Sequence, residues 1–361
     1  TASGNVAVGN ASNATAYITA TAGGSWTVSG SWTNFSTSAS WSFAAPITFT
    51  AATGGVMTFA GANLAGAEFS NITFNSSAVA SQTFTMATRG LSWSGTLTIS
   101  GDTVLAKATF TLGAEASGAL TVGGAGTNVL TSTSGAVTVT TVSISGTGDY
   151  IDLGSEAWTV SGTWTNSTTS ASWDAGTGTV TFTSAVAANM TFAGVNLAEA
   201  EFNNVTFTSS AGTAQTFTMV TRGLSVGGTL LTIDASSTST LDTSVSNLFI
   251  TAVNLTVDVG GGLIANGSTI TMDGNWNSSG GTFTYGTSTV VFAANANITT
   301  AGTEFWVSRL YNLTVNVGVT VTMINNFNVN NVTTINGTLT GAGLTVGLCY
   351  ENGVQTNPLV W

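Results

Sequence analysis

Residues 81–92 read SQTFTMATRGLS, and 133 positions later residues 214–225 read AQTFTMVTRGLS, identical at ten of twelve places. Inside this stretch apolar residues alternate with threonine at period two, the signature of a strand with one buried face. The likeness extends upstream: MTFAGANLAGAEFSNITF (57–74) returns as MTFAGVNLAEAEFNNVTF (190–207) at the same offset. A more diverged third version runs from ITMDGNWNSSGGTFTYGTSTVVF (270–292) through RLYNLTVNVGVTVTMINNFNV (309–329). Three copies follow, over 1–117, 118–245 and 246–361.

Each copy reads as strand after strand. Segments such as GTLTIS, GAVTVTTVSIS and LTVNVGVTVTM are separated by turns rich in Gly, Asn and Ser, and their β-branched residues suit a pleated surface. No segment sustains a helical period, and only two prolines occur. The chain is all-β. A parallel β-solenoid with coils of about 20–25 residues accounts for this pattern. The alternative is three tandem β-sandwich domains, since one immunoglobulin-like domain also needs about 100 residues. Short phrases of glycine followed by LTV recur within copies as well as between them (Gly118 to Val122, Gly343 to Val346). Interdomain linkers are missing, and both features favour the solenoid.

The phrases GNWNSSGGTFTYGTSTVVF (274–292), LYNLTVNVGVTVTM (310–323) and TTINGTLTGAGLTV (333–346) resemble repeats of very large secreted surface proteins of bacteria and archaea. The relevant kinds are filamentous adhesins and autotransporter passengers, generally read as parallel β-helices. The resemblance is closest in the third copy and lies in repeat phrasing, not in a catalytic signature. It implies a surface location and a structural or adhesive role.

Composition narrows the function classes. Only 5% of residues are charged, the first is Glu68, and the formal net charge is −11. Such a chain lacks the basic footprint that nucleic-acid binding needs. No apolar run approaches the length of a membrane span. The sequence opens without a signal peptide, as expected of a mature secreted product or a fragment. The lone Cys349 has no internal disulfide partner and reads as a small buried hydrophobe.

Histidine is absent, which removes the commonest acid–base catalyst and metal ligand. A β-helix carbohydrate enzyme would need clustered carboxylates. The candidates are Asp149, Asp152 and Glu156 in GDYIDLGSE, and Glu199 with Glu201. The first group is expected to form a solvated turn. No catalytic residue, metal site or cofactor is assigned. Glu68 and Arg89 stand 21 residues apart, as do Glu201 and Arg222. That separation is about one coil, so each pair is expected to meet between neighbouring coils or across a subunit contact. A surface pair would contribute about 0–1 kcal/mol. The third copy carries Arg309 and Asn326 at the matching places and loses the pair.

SWTVSGSWTNFSTSASW (25–41) and AWTVSGTWTNSTTSASW (157–173) concentrate tryptophan among small residues. Trp26 and Trp32 share one strand face by parity, as do Trp158 and Trp164. The third copy puts Ile270 and Trp276 there, so these positions are read as core. Trp41 and Trp173 border polar turns and are the candidates for exposed aromatic contacts; Phe283 or Tyr285 replaces them in the third copy.

Fifteen of thirty asparagines open an Asn-X-Ser/Thr sequon, the acceptor of N-linked glycans. The glycosylation candidates are Asn34, Asn71, Asn75, Asn166, Asn189, Asn204, Asn254, Asn297, Asn312 and Asn336. The expected role is that of a self-assembling extracellular structural protein, a filament or surface-layer subunit. Its copies would dock end to end through open strand edges and the apolar tail Pro358, Leu359, Val360 and Trp361. The chain would thus be a homopolymer bearing N-linked glycans, not an enzyme. An adhesin or glycan-binding stalk is the alternative, and a β-helix carbohydrate enzyme the remote one.

Overall fold

Alternation of threonine with aliphatic residues leaves each short strand one apolar face to bury, and stacking like strands in register buries it. The computed structural model describes residues 2, 4–10, 12–50, 55–59, 67–76, 82–86, 91–101, 107–113, 118–124, 127–134, 136–184, 188–192, 200–209, 214–228, 231–233, 239–301, 309–348 and 359–360. Among them there is no helix, and so none long and apolar enough to cross a membrane. The strands form parallel sheets stacked as a β-solenoid of about 12 turns.

The pairing decides against tandem sandwiches, whose sheets are antiparallel. Among the described residues, strand pairs are parallel apart from Thr345–Leu348 with Leu359–Val360. Consecutive rungs lie one coil apart: Ile250 pairs with Ile270, which pairs with Val290, and Leu255 pairs with Trp276. These offsets fall within the expected coil length.

The repeats are periods of sequence, not separate domains. Thr96–Gly101 pairs with Ala119–Val122 across the boundary at 117/118. Leu231–Ile233 pairs with Leu255–Val257 across 245/246. Contacts divide the chain elsewhere, into Thr1–Gly178 and a second unit containing Thr179–Phe192 and Ala198–Trp361.

In the first unit one inward column runs Ile47, Ile72, Leu97, Leu120, Val142, Trp164. All six side chains are buried, and side chains of this size contribute about 1.5–3 kcal/mol each when fully buried. The outward neighbours form their own ladder: Thr27, Thr48, Thr73, Thr98, Thr121, Ser143, Thr165. In the second unit Ile250, Ile270, Val290 and Leu313 make the equivalent buried column. Aromatic rings also stack rung on rung, Phe49 on Phe74 at 5.3 Å and Phe182 on Phe207 at 5.3 Å.

Candidate functional site

With charge so scarce, the polar groups that the fold buries are where chemistry would reside. Glu201 leads the segment whose Phe202 bridges Val226 in the next coil, and Arg222 precedes that coil's strand Leu224–Val226. This register brings Arg222 Nη2 to 2.9 Å from Glu201 Oε2. The pair is intramolecular, as the 21-residue spacing anticipates, but it is not a surface pair. Its side chains are only 5% and 3% exposed, arginine first. Glu68, at the matching place in the first copy, is also buried and accepts from Asn34 Nδ2 through Oε1. Arg89 lies outside the described residues.

The GDYIDLGSE segment corrects the expected solvated turn. Asp149 shares parity with Ile151 and Leu153, and all three are buried. Its Oδ1 accepts from the Asn128 backbone N–H at 2.7 Å and from Asn128 Nδ2 at 3.0 Å. Burial pushes the Asp149 carboxyl above the usual carboxylate range, outweighing these hydrogen bonds. Asp152, opposite Asp174 on the next coil, is also raised: burial is the main cause, and the Asp174 and Glu156 charges add to it. Asp152 Oδ1 accepts from the Gly154 N–H and Asp174 Oδ1 from the Gly176 N–H, each closing a two-residue turn. Gly176 (φ +61°) stands so close to Gly154 that a Cβ would fall 1.8 Å from the Gly154 carbonyl oxygen. Among the described residues no group of three or more Asp, Glu, His or Cys could hold a metal ion.

The asparagine-rich sequence has two structural uses that sequence reading missed. The first is local. Asn34 Oδ1 accepts from the Ser36 N–H, Ser36 Oγ from the Ser38 N–H, and Ser38 Oγ from the Ser40 N–H. Asn166, Thr168, Ser170 and Ser172 repeat this chain in the second copy. Such i→i+2 turns are a property of Asn, Ser and Thr side chains, and Asn-X-Ser/Thr supplies them directly. The second use ties coils together. Asn254 Oδ1 accepts from the Asn275 N–H at 2.8 Å, and Asn275 Oδ1 from the Asn297 N–H at 2.8 Å. Asn71 and Asn312 likewise accept from Thr96 and Val332 one coil on.

These contacts sort the sequons. Asn34 and Asn166 are fully buried, so the folded chain leaves no room for a glycan on either, a correction to their candidacy. Asn71, Asn297 and Asn336 are exposed, while Asn75, Asn204, Asn254 and Asn312 are half-buried. Asn189 lies in the strand Ala188–Phe192.

Of the two aromatic candidates, Trp173 is corrected by its burial. Trp173 is 5% exposed and meets Trp164 edge-on at 6.4 Å. Trp41 is half-buried, meets Trp32 edge-on at 6.5 Å, and donates Nε1–H to the Glu68 carbonyl at 2.6 Å. The turn after each serine run leans the ring on the core, enclosing Trp173 and leaving Trp41 partly exposed. In the third copy Phe283 takes over this contact, edge-on to Trp276 at 4.9 Å. Trp32, Trp158, Trp164, Trp276 and Ile270 are fully buried as expected, with Trp26 half-buried against Phe43 at 5.3 Å.

On the outer face of the second unit lies a groove of about 360 Å³. Asn254, Asn275, Asn277, Asn297, Thr256 and Thr299 line it over the fully buried Leu255 and Trp276, together with Ile324, which is 52% exposed. It carries no charge. Of the tail, Leu359–Val360 pairs antiparallel with Thr345–Leu348 of the same chain, Thr345 opposite Val360 and Val346 opposite Leu359. Pro358 and Trp361 lie outside the described residues. No known protein family, curated protein or solved structure matches this chain.

Proposed function

We propose that this chain is a self-assembling structural protein of the cell exterior, a filament or surface-layer subunit. The observation that carries the reading is the tail strand. Leu359–Val360 adds to the edge strand Thr345–Leu348 by antiparallel pairing. Strand addition at an open edge is a general route to association, and in this chain it occurs in cis. Exchange of the same segment between copies would convert the intramolecular contact into an end-to-end one. The scarcity of charged side chains supports the reading, because few charges must be desolvated when copies meet and salt screens the net −11. So does the use of asparagine as coil-to-coil staples, which makes for a stiff scaffold. The reading assigns no catalytic activity. Its test is a chain lacking residues 353–361, followed by sedimentation velocity. Polymers should be lost, and polymers formed as well as by the full chain would refute tail exchange.

A glycan-binding stalk is the second reading, favoured by the neutral amide- and hydroxyl-lined groove over Asn254, Asn275 and Asn297. With Trp173 enclosed and Trp41 half-buried against Trp32, sugar recognition at this groove would rest on its amides rather than on indole stacking. Binding on a glycan array that disappears in N275A/N297A would support it, and binding unaffected by that change would remove the groove from consideration.

A further inference from the structure

Two buried oxygen atoms stand unpartnered on residues that already bond to each other: Asp149 Oδ2 and Asn128 Oδ1. Both residues are 0% exposed. Asn128 offers Asp149 its backbone N–H and its Nδ2, and both go to the same carboxylate oxygen, Oδ1. An ionised carboxyl has only acceptors, so it can satisfy neither its own second oxygen nor the Asn128 amide oxygen. Leaving such groups buried and unpaired is costly. One proton removes both deficits.

We propose that Asp149 is held as the neutral acid, its Oδ2–H donating to Asn128 Oδ1, so that the two side chains close a carboxylic acid–carboxamide ring between adjacent coils. The Asn128 Nδ2–H···Oδ1 bond is one side of that ring, already formed at 3.0 Å.

The surroundings favour the neutral form. The strand Thr127–Ser134, which carries Asn128, contains no titratable residue, and on the coil before it Ala108 stands opposite Asn128, with Lys107 opposite Thr127. Along the Asp149 strand the next titratable groups are Tyr150 and Asp152. On the following coil Ser170, Ala171 and Ser172 precede Asp174. Burial is the largest influence on the Asp149 carboxyl and acts to keep its proton; the Gly146 N–H pulls the other way without closing a hydrogen bond to Oδ2. Gly146 is fitted to the carboxyl, since a Cβ there would lie 2.0 Å from Oδ2.

The contact is therefore a proton-linked latch. Its folded-state affinity for the proton exceeds that of the unfolded chain, so stability is greatest in acid. It falls as pH rises from the ordinary carboxylate range through the raised value. The dependence is opposite in sign to ordinary acid denaturation.

The test is amide hydrogen exchange of the full chain, corrected for intrinsic rate, in peptides covering residues 127–152, with residues 250–272 as an internal control. In the wild type, opening of 127–152 should rise by up to about tenfold per pH unit across that window. D149N keeps the shape and supplies an N–H donor that needs no proton. It should match the acid-state protection and be flat with pH, while D258N, at an exposed carboxylate, should leave the slope unchanged. A flat wild type, or D149N less protected than the wild type in acid, would overturn the proposal. Infrared spectroscopy of the wild type needs no variant. Where exposed carboxylates are ionised, a residual carboxylic acid band should remain, and a fully ionised spectrum would also overturn it.

Discussion

Replacing Arg222 by methionine would leave Glu201 in place, with its side chain 3% exposed and its 2.9 Å partner gone. Removing one member of a buried ion pair costs about 3–5 kcal/mol, because the remaining charge stays desolvated. Removing both with uncharged groups of similar volume is close to neutral or stabilising. R222M should therefore raise local opening by roughly two to three and a half orders of magnitude. E201Q/R222M should recover most of the loss. Solenoid turns unfold in near-neighbour fashion, so the assay is hydrogen exchange in the strands Asn204–Ser209 and Leu224–Val226, not a single global midpoint. Wild-type protection should also change little with added salt, since buried pairs are poorly screened. Equal protection in R222M and wild type, or a double variant as damaged as R222M, would refute the reasoning. Either result would return the pair to the small value of an exposed contact.

Trp276, fully buried and edge-on to Phe283, should cost about 3–5 kcal/mol when cut to alanine, read as loss of protection in the coil around Leu255–Val257. N275A removes the acceptor for the Asn297 N–H and should cost about 1 kcal/mol, measurable as faster exchange of that single amide. Expression in a host that performs N-glycosylation should leave Asn34 and Asn166 unmodified in the folded protein, with any occupancy confined to accessible sequons such as Asn71, Asn297 and Asn336. Peptide mass spectrometry checks this, and a glycan on natively folded Asn34 would contradict its burial.

The fold was legible because two periods coincide in the sequence. Alternation at two residues fixes which side chains face inward, and recurrence at one coil, 20 to 25 residues, fixes which of them stack. The second period also located the Glu201–Arg222 contact. It did not show that the pair is buried, because consecutive Glu201 and Phe202 are both enclosed, which simple alternation does not allow. Asp149 was legible in principle: it shares parity with Ile151 and Leu153, and a turn reading of its neighbours masked that signal. The asparagines were the least legible. An Asn-X-Ser/Thr triplet is the same three letters whether it accepts a glycan or closes an i→i+2 turn. Only packing separates Asn34, enclosed beside Glu68, from Asn336 at the surface. Trp41 and Trp173 misled for a related reason. Their polar neighbours bond among themselves in successive turns, which brings the rings back to Trp32 and Trp164.

Electron microscopy of the purified full-length chain tests the central claim of self-assembly most directly. The account predicts regular polymers whose repeat is set by end-to-end contact and which disappear when residues 353–361 are removed. A field of single, unassociated particles at every protein concentration tried would contradict it.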